Sequence, residues 1–134
     1  MITSTSNAQI KELAKLQKKS RLRDEKGIFL VEGPRMTEEI PAERIEKVYA
    51  SESFAKKNKE FLEKLQAPVE LLTDTVFAYV SDTKTPQGIL AIVKRLNYTM
   101  NDLMQMKNQK APHLVVLDNL QDPGNLGTIL RAGE

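Results

Sequence analysis

The chain has 134 residues, 40% hydrophobic and 28% charged, with a formal net charge of +2; these figures suit an ordinary globular protein and exclude a fibrous or disordered one. It holds no cysteine and one histidine, His113, which excludes disulfides, thiolate metal sites and a cysteine nucleophile and makes a histidine-based metal cluster or catalytic triad implausible, so no metal is expected. No run approaches the roughly 18 apolar residues of a membrane helix, and the opening MITSTSNAQIKELAKL lacks a signal-peptide pattern; a cytoplasmic location without a membrane partner is expected.

Ser4, Thr5, Ser6 and Asn7 offer helix-capping oxygens, and Ile10, Leu13, Ala14 and Leu16 recur at helical spacing, which predicts a helix from about Asn7 to about Arg23. Lys11, Lys15, Lys18 and Lys19 share its opposite face, either as a solvated surface or as a phosphate contact. From Asn7 to Gly27 the bases Lys11, Lys15, Lys18, Lys19, Arg21, Arg23 and Lys26 are opposed only by Glu12, Asp24 and Glu25, so this segment is locally basic. IFLV (28 to 31) reads as a buried strand. EGPR follows, where Gly33 permits a sharp exit and Pro34 opens a short helix that Pro41 stops.

IEKVYAS (45 to 51) is the next strand, ESFAKKNKEFLEKLQ (52 to 66) an amphipathic helix, and VELLT (69 to 73) a third strand. DTVFAYVSD (74 to 82) predicts a short helix capped by Asp74, and GILAIVKR (88 to 95) is a fourth strand entered through the turn TKTPQG. The alternation indicates an α/β domain closing near Arg95. Residues 96 to 112 lose the strand pattern and read as a linker with a short helix, MNDLMQMKN; HLVVLDNL then starts a second α/β unit over residues 113 to 134.

In that last stretch DPGN carries the residues of a type II turn, with Asn125 as the N-cap of a following helix. The open helix end suits an anion such as phosphate. Gly127 leaves the helix surface bare, and Arg131, four residues on, leans toward the amino terminus so that its guanidinium reaches over Gly127 and converges with Asn125. Asp118 is read either as a ligand-facing carboxylate or as a turn stabiliser. By residues alone, a plain strand-turn-helix connection accounts for all of this equally well.

LDNLQDPGNLGTILRAGE closely resembles the first signature motif of the SpoU, or TrmH-type, RNA 2′-O-ribose methyltransferases, with Gly133 a departure where the family more often continues Thr-Ala. NAQIKEL, RLRDEKG, FLVEGPR and TPQGILAIV likewise resemble the substrate-binding domain that precedes the catalytic domain in many of these enzymes. The resemblance implies an α/β fold: a ribosomal-protein-like α/β/α RNA-binding domain (1 to 95), a linker (96 to 112) and the first strand and helix of a trefoil-knot methyltransferase domain (113 to 134). It implies S-adenosylmethionine as cofactor, bound by later motifs beyond Glu134, and a homodimer in the full-length family. By motif position, Asn125 holds the active-site loop and Arg131 acts on the target ribose. Deprotonating a guanidinium at neutral pH costs on the order of 7 kcal/mol or more, so a phosphate clamp is the expected role rather than a general base.

RNA is expected to meet Arg21, Arg23, Lys26, Glu32 and Arg35, with the end of the first helix and the EGPR turn forming one surface. Glu32 has a second reading as a turn-stabilising carboxylate; Lys84 and Gln87 read as ordinary loop residues. Ribosomal RNA is the expected substrate and transfer RNA the alternative. Two other functions fit the residues: a stand-alone RNA-binding module related to kink-turn-binding ribosomal proteins, and a nucleotide-binding α/β protein that uses the DPGN turn for phosphate. A tail of about twenty residues is too short to bury a core of its own.

Overall fold

The computed structural model describes residues 1–105 and 110–134, which fall into two compact units, Met1–Leu96 and Asn97–Glu134. In chain order the first unit holds α1 (Ala8–Lys18), α2 (Ser20–Lys26), β1 (Ile28–Glu32), α3 (Pro34–Glu39), a 3-10 turn, β2 (Ile45–Ser51), α4 (Glu52–Lys57), α5 (Lys59–Lys64), β3 (Val69–Leu72), α6 (Asp74–Val80) and β4 (Ile89–Lys94). None of the described helices is long and apolar enough to cross a membrane.

The four strands form one mixed sheet in the order β1-β4-β2-β3. β4 runs antiparallel to both β1 and β2, and β2 runs parallel to β3. β1, β2 and β3 therefore point the same way and end on the same edge. Side chains alternate across a sheet, and β4 shows why ILAIV carries no polar position: Leu90 and Ile92 join the core beneath α1 and α6, while Ile89, Ala91 and Val93 join the core beneath the α4–α5 side. A bulge at Glu46 lets Ile45 and Val48, three residues apart, serve the same core. The result is the expected α/β/α layering.

The helix expected from Asn7 to Arg23 is two helices, broken at Lys19, which is extended (φ −114°, ψ 98°). Six residues beyond Leu16, a continuous helix would place Leu22 about 120° around from the apolar stripe; the break returns Leu22 to the core. The helix expected over residues 52 to 66 likewise breaks at Asn58, whose side-chain amide donates to the Phe54 carbonyl at 3.0 Å. Such side-chain competition for backbone groups is what disfavours Asn inside helices. Phe54 and Phe61 still meet edge to face, 5.9 Å between centroids.

Asp74 does not cap its own helix. Thr73 caps α6 by accepting from the Val76 amide, and Asp74 accepts from the amide (3.0 Å) and hydroxyl (2.5 Å) of Ser53 in the first turn of α4. One carboxylate thus ties the starts of two helices together, and the Ser53 hydrogen bonds hold it below the usual Asp value. A depressed folded value stabilises above the unfolded pKa and is lost as pH falls through the folded one.

In the second unit α7 (Met100–Met104) carries a Thr99–Asp102 capping box; the remainder of the helix expected over MNDLMQMKN runs into positions 106 to 109, outside the described residues. Residues 113 to 120 form no strand and their side chains are exposed. A strand needs a hydrogen-bonding neighbour to satisfy its backbone, and no ladder reaches them among the described residues. α8 (Pro123–Ala132) starts earlier than expected: Asp122 is the N-cap, accepting from the Gly124 amide at 2.9 Å, and Pro123 takes the first helical position. Asn125 thus lies inside the first turn.

Asp74→Asn should lower the melting temperature at neutral pH, and the gap from the unaltered chain should close as pH drops below the ordinary carboxylate range. Thermal denaturation followed across that range checks it; a gap independent of pH would show that the carboxylate charge contributes nothing.

Candidate nucleic-acid interface

Glu32 is the last residue of β1, and its carboxylate organises the loop that leads into β4. It accepts from the Ser81 hydroxyl at 2.9 and 2.8 Å, from the Thr83 hydroxyl at 3.2 Å and from the Gln87 amide at 3.0 Å. Both ends of the loop 81 to 87 are thereby fixed to the carboxyl end of β1. Sequence reasoning placed Glu32 among the RNA contacts; the structure commits its carboxylate to the loop, which is its turn-stabilising reading. Ser81, Thr83 and Gln87 were not singled out as its partners. The only signal for them was that a carboxylate ending a buried strand requires donors.

Two glycines allow the close approach. Gly33 sits at φ 109°, and a Cβ there would lie 2.6 Å from Oε1 of Gln87; Gly88 sits at φ 82°, where a Cβ would lie 2.8 Å from Cβ of Phe54. Both also join the ladder, since the Gly33 amide donates to Ile89 and the Gly88 carbonyl accepts from Ser51. Thr37 is fully buried and returns its hydroxyl to the Gly33 carbonyl at 2.8 Å, setting α3 on the strand end. Arg35 stands exposed in the first turn of α3, outside every ion pair among the described residues, and Lys84 is exposed in the loop.

The other three basic residues are occupied. Arg23 is partly buried and donates from Nη1 to the carbonyls of Leu16 (2.6 Å) and Gln17 (2.9 Å), closing the carboxyl end of α1. Lys26 pairs with Glu12 at 2.9 Å, which holds the Glu12 carboxyl below and the Lys26 ammonium above their usual values. Arg21 makes an open i,i+4 pair with Glu25 at 3.4 Å, a contact worth little and easily exchanged. Lys26 and Arg35 flank opposite ends of β1, whose five residues span about 15 Å.

In the second unit the guanidinium of Arg131 does lie over Gly127: a Cβ on that glycine would meet Nη1 at 3.5 Å, and Nη2 reaches the Thr128 hydroxyl at 3.4 Å. Asn125 is exposed and makes no side-chain hydrogen bond among the described residues, so the expected convergence with Arg131 is not seen. α8 and the segment before it bury no side chain. These residues alone offer no wall against which an adenosine could pack, and so do not by themselves fit S-adenosylmethionine.

A profile of the MRM3-like substrate binding domain matches residues 7–91, which is the core of the first unit. The chain belongs to that family. It is 29% identical to the 23S rRNA (guanosine(2553)-2′-O)-methyltransferase RlmP of Bacillus subtilis over 99% of its length and 50% of that protein. A solved RNA 2′-O ribose methyltransferase shares 30% identity with a TM-score of 0.65, covering 98% of this chain and 50% of that one. The SpoU methyltransferase AviRb of Streptomyces viridochromogenes, solved with AdoMet, shares the fold at 16% identity and a TM-score of 0.57, over 75% of this chain and 40% of its own. The chain spans about half the length of these relatives.

Gly33→Ala should cost roughly 1–3 kcal/mol in chemical denaturation, from its positive φ and the Gln87 approach together. Adding Gln87→Ala should recover only part, because the backbone strain remains. Full recovery would assign the whole cost to the side-chain clash.

Proposed function

We propose that this chain is the amino-terminal, RNA-binding part of an RNA methyltransferase that transfers a methyl group from S-adenosylmethionine to a ribose 2′-hydroxyl, with ribosomal RNA as substrate. The observation that carries the reading is the family match to residues 7–91, the stretch that folds into a complete three-layer core. The relatives' names support RNA methylation, and RlmP and the solved RNA 2′-O ribose methyltransferase support the ribose position. The AdoMet complex of AviRb supports the cofactor.

The roles divide between the two units. In the first, Arg35 and the loop fixed by Glu32 present donors at the strand ends, where Arg35 has no acidic partner to displace. In the second, Arg131 clamps a phosphate and orients the 2′-hydroxyl for in-line attack on the methyl carbon, and proton loss comes late. Asn125, in the first turn of the same helix, holds the active-site loop. The cofactor is held by the half of the relatives that this chain does not span, and the full enzyme acts as a cytoplasmic homodimer. No step of the chemistry is available to residues 1–134 alone.

RNA binding measured by fluorescence anisotropy should weaken steadily with salt, since it rests on phosphate contacts, and Arg35→Ala should weaken it further. Incubation with S-adenosylmethionine and RNA should give no methylated product. Salt-independent binding would count against the cationic surface, and turnover by this chain would overturn the division of roles.

A further inference from the structure

A second cationic surface lies at the junction of α1 and α2. The break at Lys19 turns the chain back on itself and leaves a concave surface lined by Lys15, Lys18, Lys19 and Arg21. Two acids border it, Glu12 and Glu25, and each already holds a cation, Lys26 and Arg21 respectively. Lys15, Lys18 and Lys19 are exposed and enter no ion pair among the described residues. The carboxyl end of a helix ordinarily repels anions. Here the Arg23 guanidinium occupies the Leu16 and Gln17 carbonyls, so the helix end that faces this surface is offset by a fixed positive charge.

The α4–α5 side is a useful contrast. Lys57, Lys59 and Lys64 also line a concave surface there, but it is shared with Glu38 and Glu60, which hold no ion pair among the described residues and remain available to offset the lysines. Lys56 lines that surface too but is paired with Glu52 at 2.8 Å, so each surface has three lysines outside any ion pair among the described residues, and the two differ in their acids. The difference comes from where the acids are already engaged.

We propose that the α1–α2 junction is a phosphate-backbone contact for RNA, additional to the strand-end edge at Arg35 and independent of base sequence. This rests on the RNA-binding reading above. Its contribution is electrostatic: three flexible ammonium groups follow a backbone without reading bases, as phosphate contacts do. The fixed junction keeps them on one concave surface.

The test compares the unaltered chain with Lys15→Ala/Lys18→Ala/Lys19→Ala and with the charge-matched Lys57→Ala/Lys59→Ala/Lys64→Ala, each confirmed folded by its melting temperature. Binding of a labelled single-stranded RNA of mixed sequence is titrated across salt concentrations. The α1 variant should lose about 2 from the slope of log affinity against log salt, for about 0.7 per lost contact, and at least about tenfold in affinity at low salt. The α4–α5 variant should keep the slope. Equal losses in both variants would reduce the effect to net charge and overturn the proposal. An unchanged α1 variant beside a weakened Arg35→Ala would overturn it while leaving RNA binding intact. Failure of the unaltered chain to bind RNA would overturn the underlying reading and the proposal with it.

Discussion

The sheet of the first unit closes only when its last strand enters its middle. β4 lies between β1 and β2, antiparallel to both, and its five buried residues supply both cores at once. At roughly 1.5–3 kcal/mol for each large apolar side chain fully buried, this strand dominates the packing of the unit. β1 and β2 do not pair with each other because β4 lies between them and hydrogen-bonds to both. The constraint also fixes the loop 81 to 87, whose far end must reach the start of β4 beside the end of β1. There the Glu32 carboxylate receives it. The candidate interface is thus a consequence of strand order: a late strand inserted centrally brings its entry loop onto the edge where β1, β2 and β3 end.

The same geometry explains which cations remain free. An arginine near a helix end finds backbone carbonyls within reach, and Arg23 uses two of them. A lysine facing a glutamate across two helices pairs, as Lys26 does with Glu12. Arg35 follows a glycine and a proline at a strand end, where the nearby carboxylate, Glu32, is already supplied with donors from the loop. Charge in a sequence therefore overstates the charge a surface presents. The count of bases between Asn7 and Gly27 mixes structural cations with free ones, and only the three-dimensional pairing separates them.

Strands and their order of burial were legible because burial writes itself into composition: IFLV, IEKVYAS and ILAIV are apolar on the faces that the sheet covers, and their observed bounds fall within a residue or two of those expected. Helix breaks were less legible. Lys19 is not a strong breaker, and its interruption follows from where Leu22 must land, which is tertiary information; the break at Asn58 has a local cause, its hydrogen bond to the Phe54 carbonyl, that competes with an amphipathic pattern running through it. Asp74 shows the same limit, since its position fits a cap of α6 but its carboxylate reaches α4. At the candidate site the sequence marked Glu32 and Arg35 by type, but the partners of Glu32 lie about fifty residues away and carry no local signal. What remained hidden was every role decided by a long-range hydrogen bond.

The second unit separates local from non-local order within a single motif. α8 forms because its requirements lie within a few residues: Asp122 accepts the Gly124 amide, Pro123 fixes the first φ, and the Arg131 side chain covers the surface that Gly127 leaves. The apolar residues just before it, Leu114 to Leu117, have the composition of a buried strand yet stand exposed, because a strand's hydrogen bonds belong to its neighbours. A strand of this composition, apolar at every position, is of the kind buried on both faces by flanking strands and helices. The motif's helical half is therefore self-sufficient, and its strand half is not.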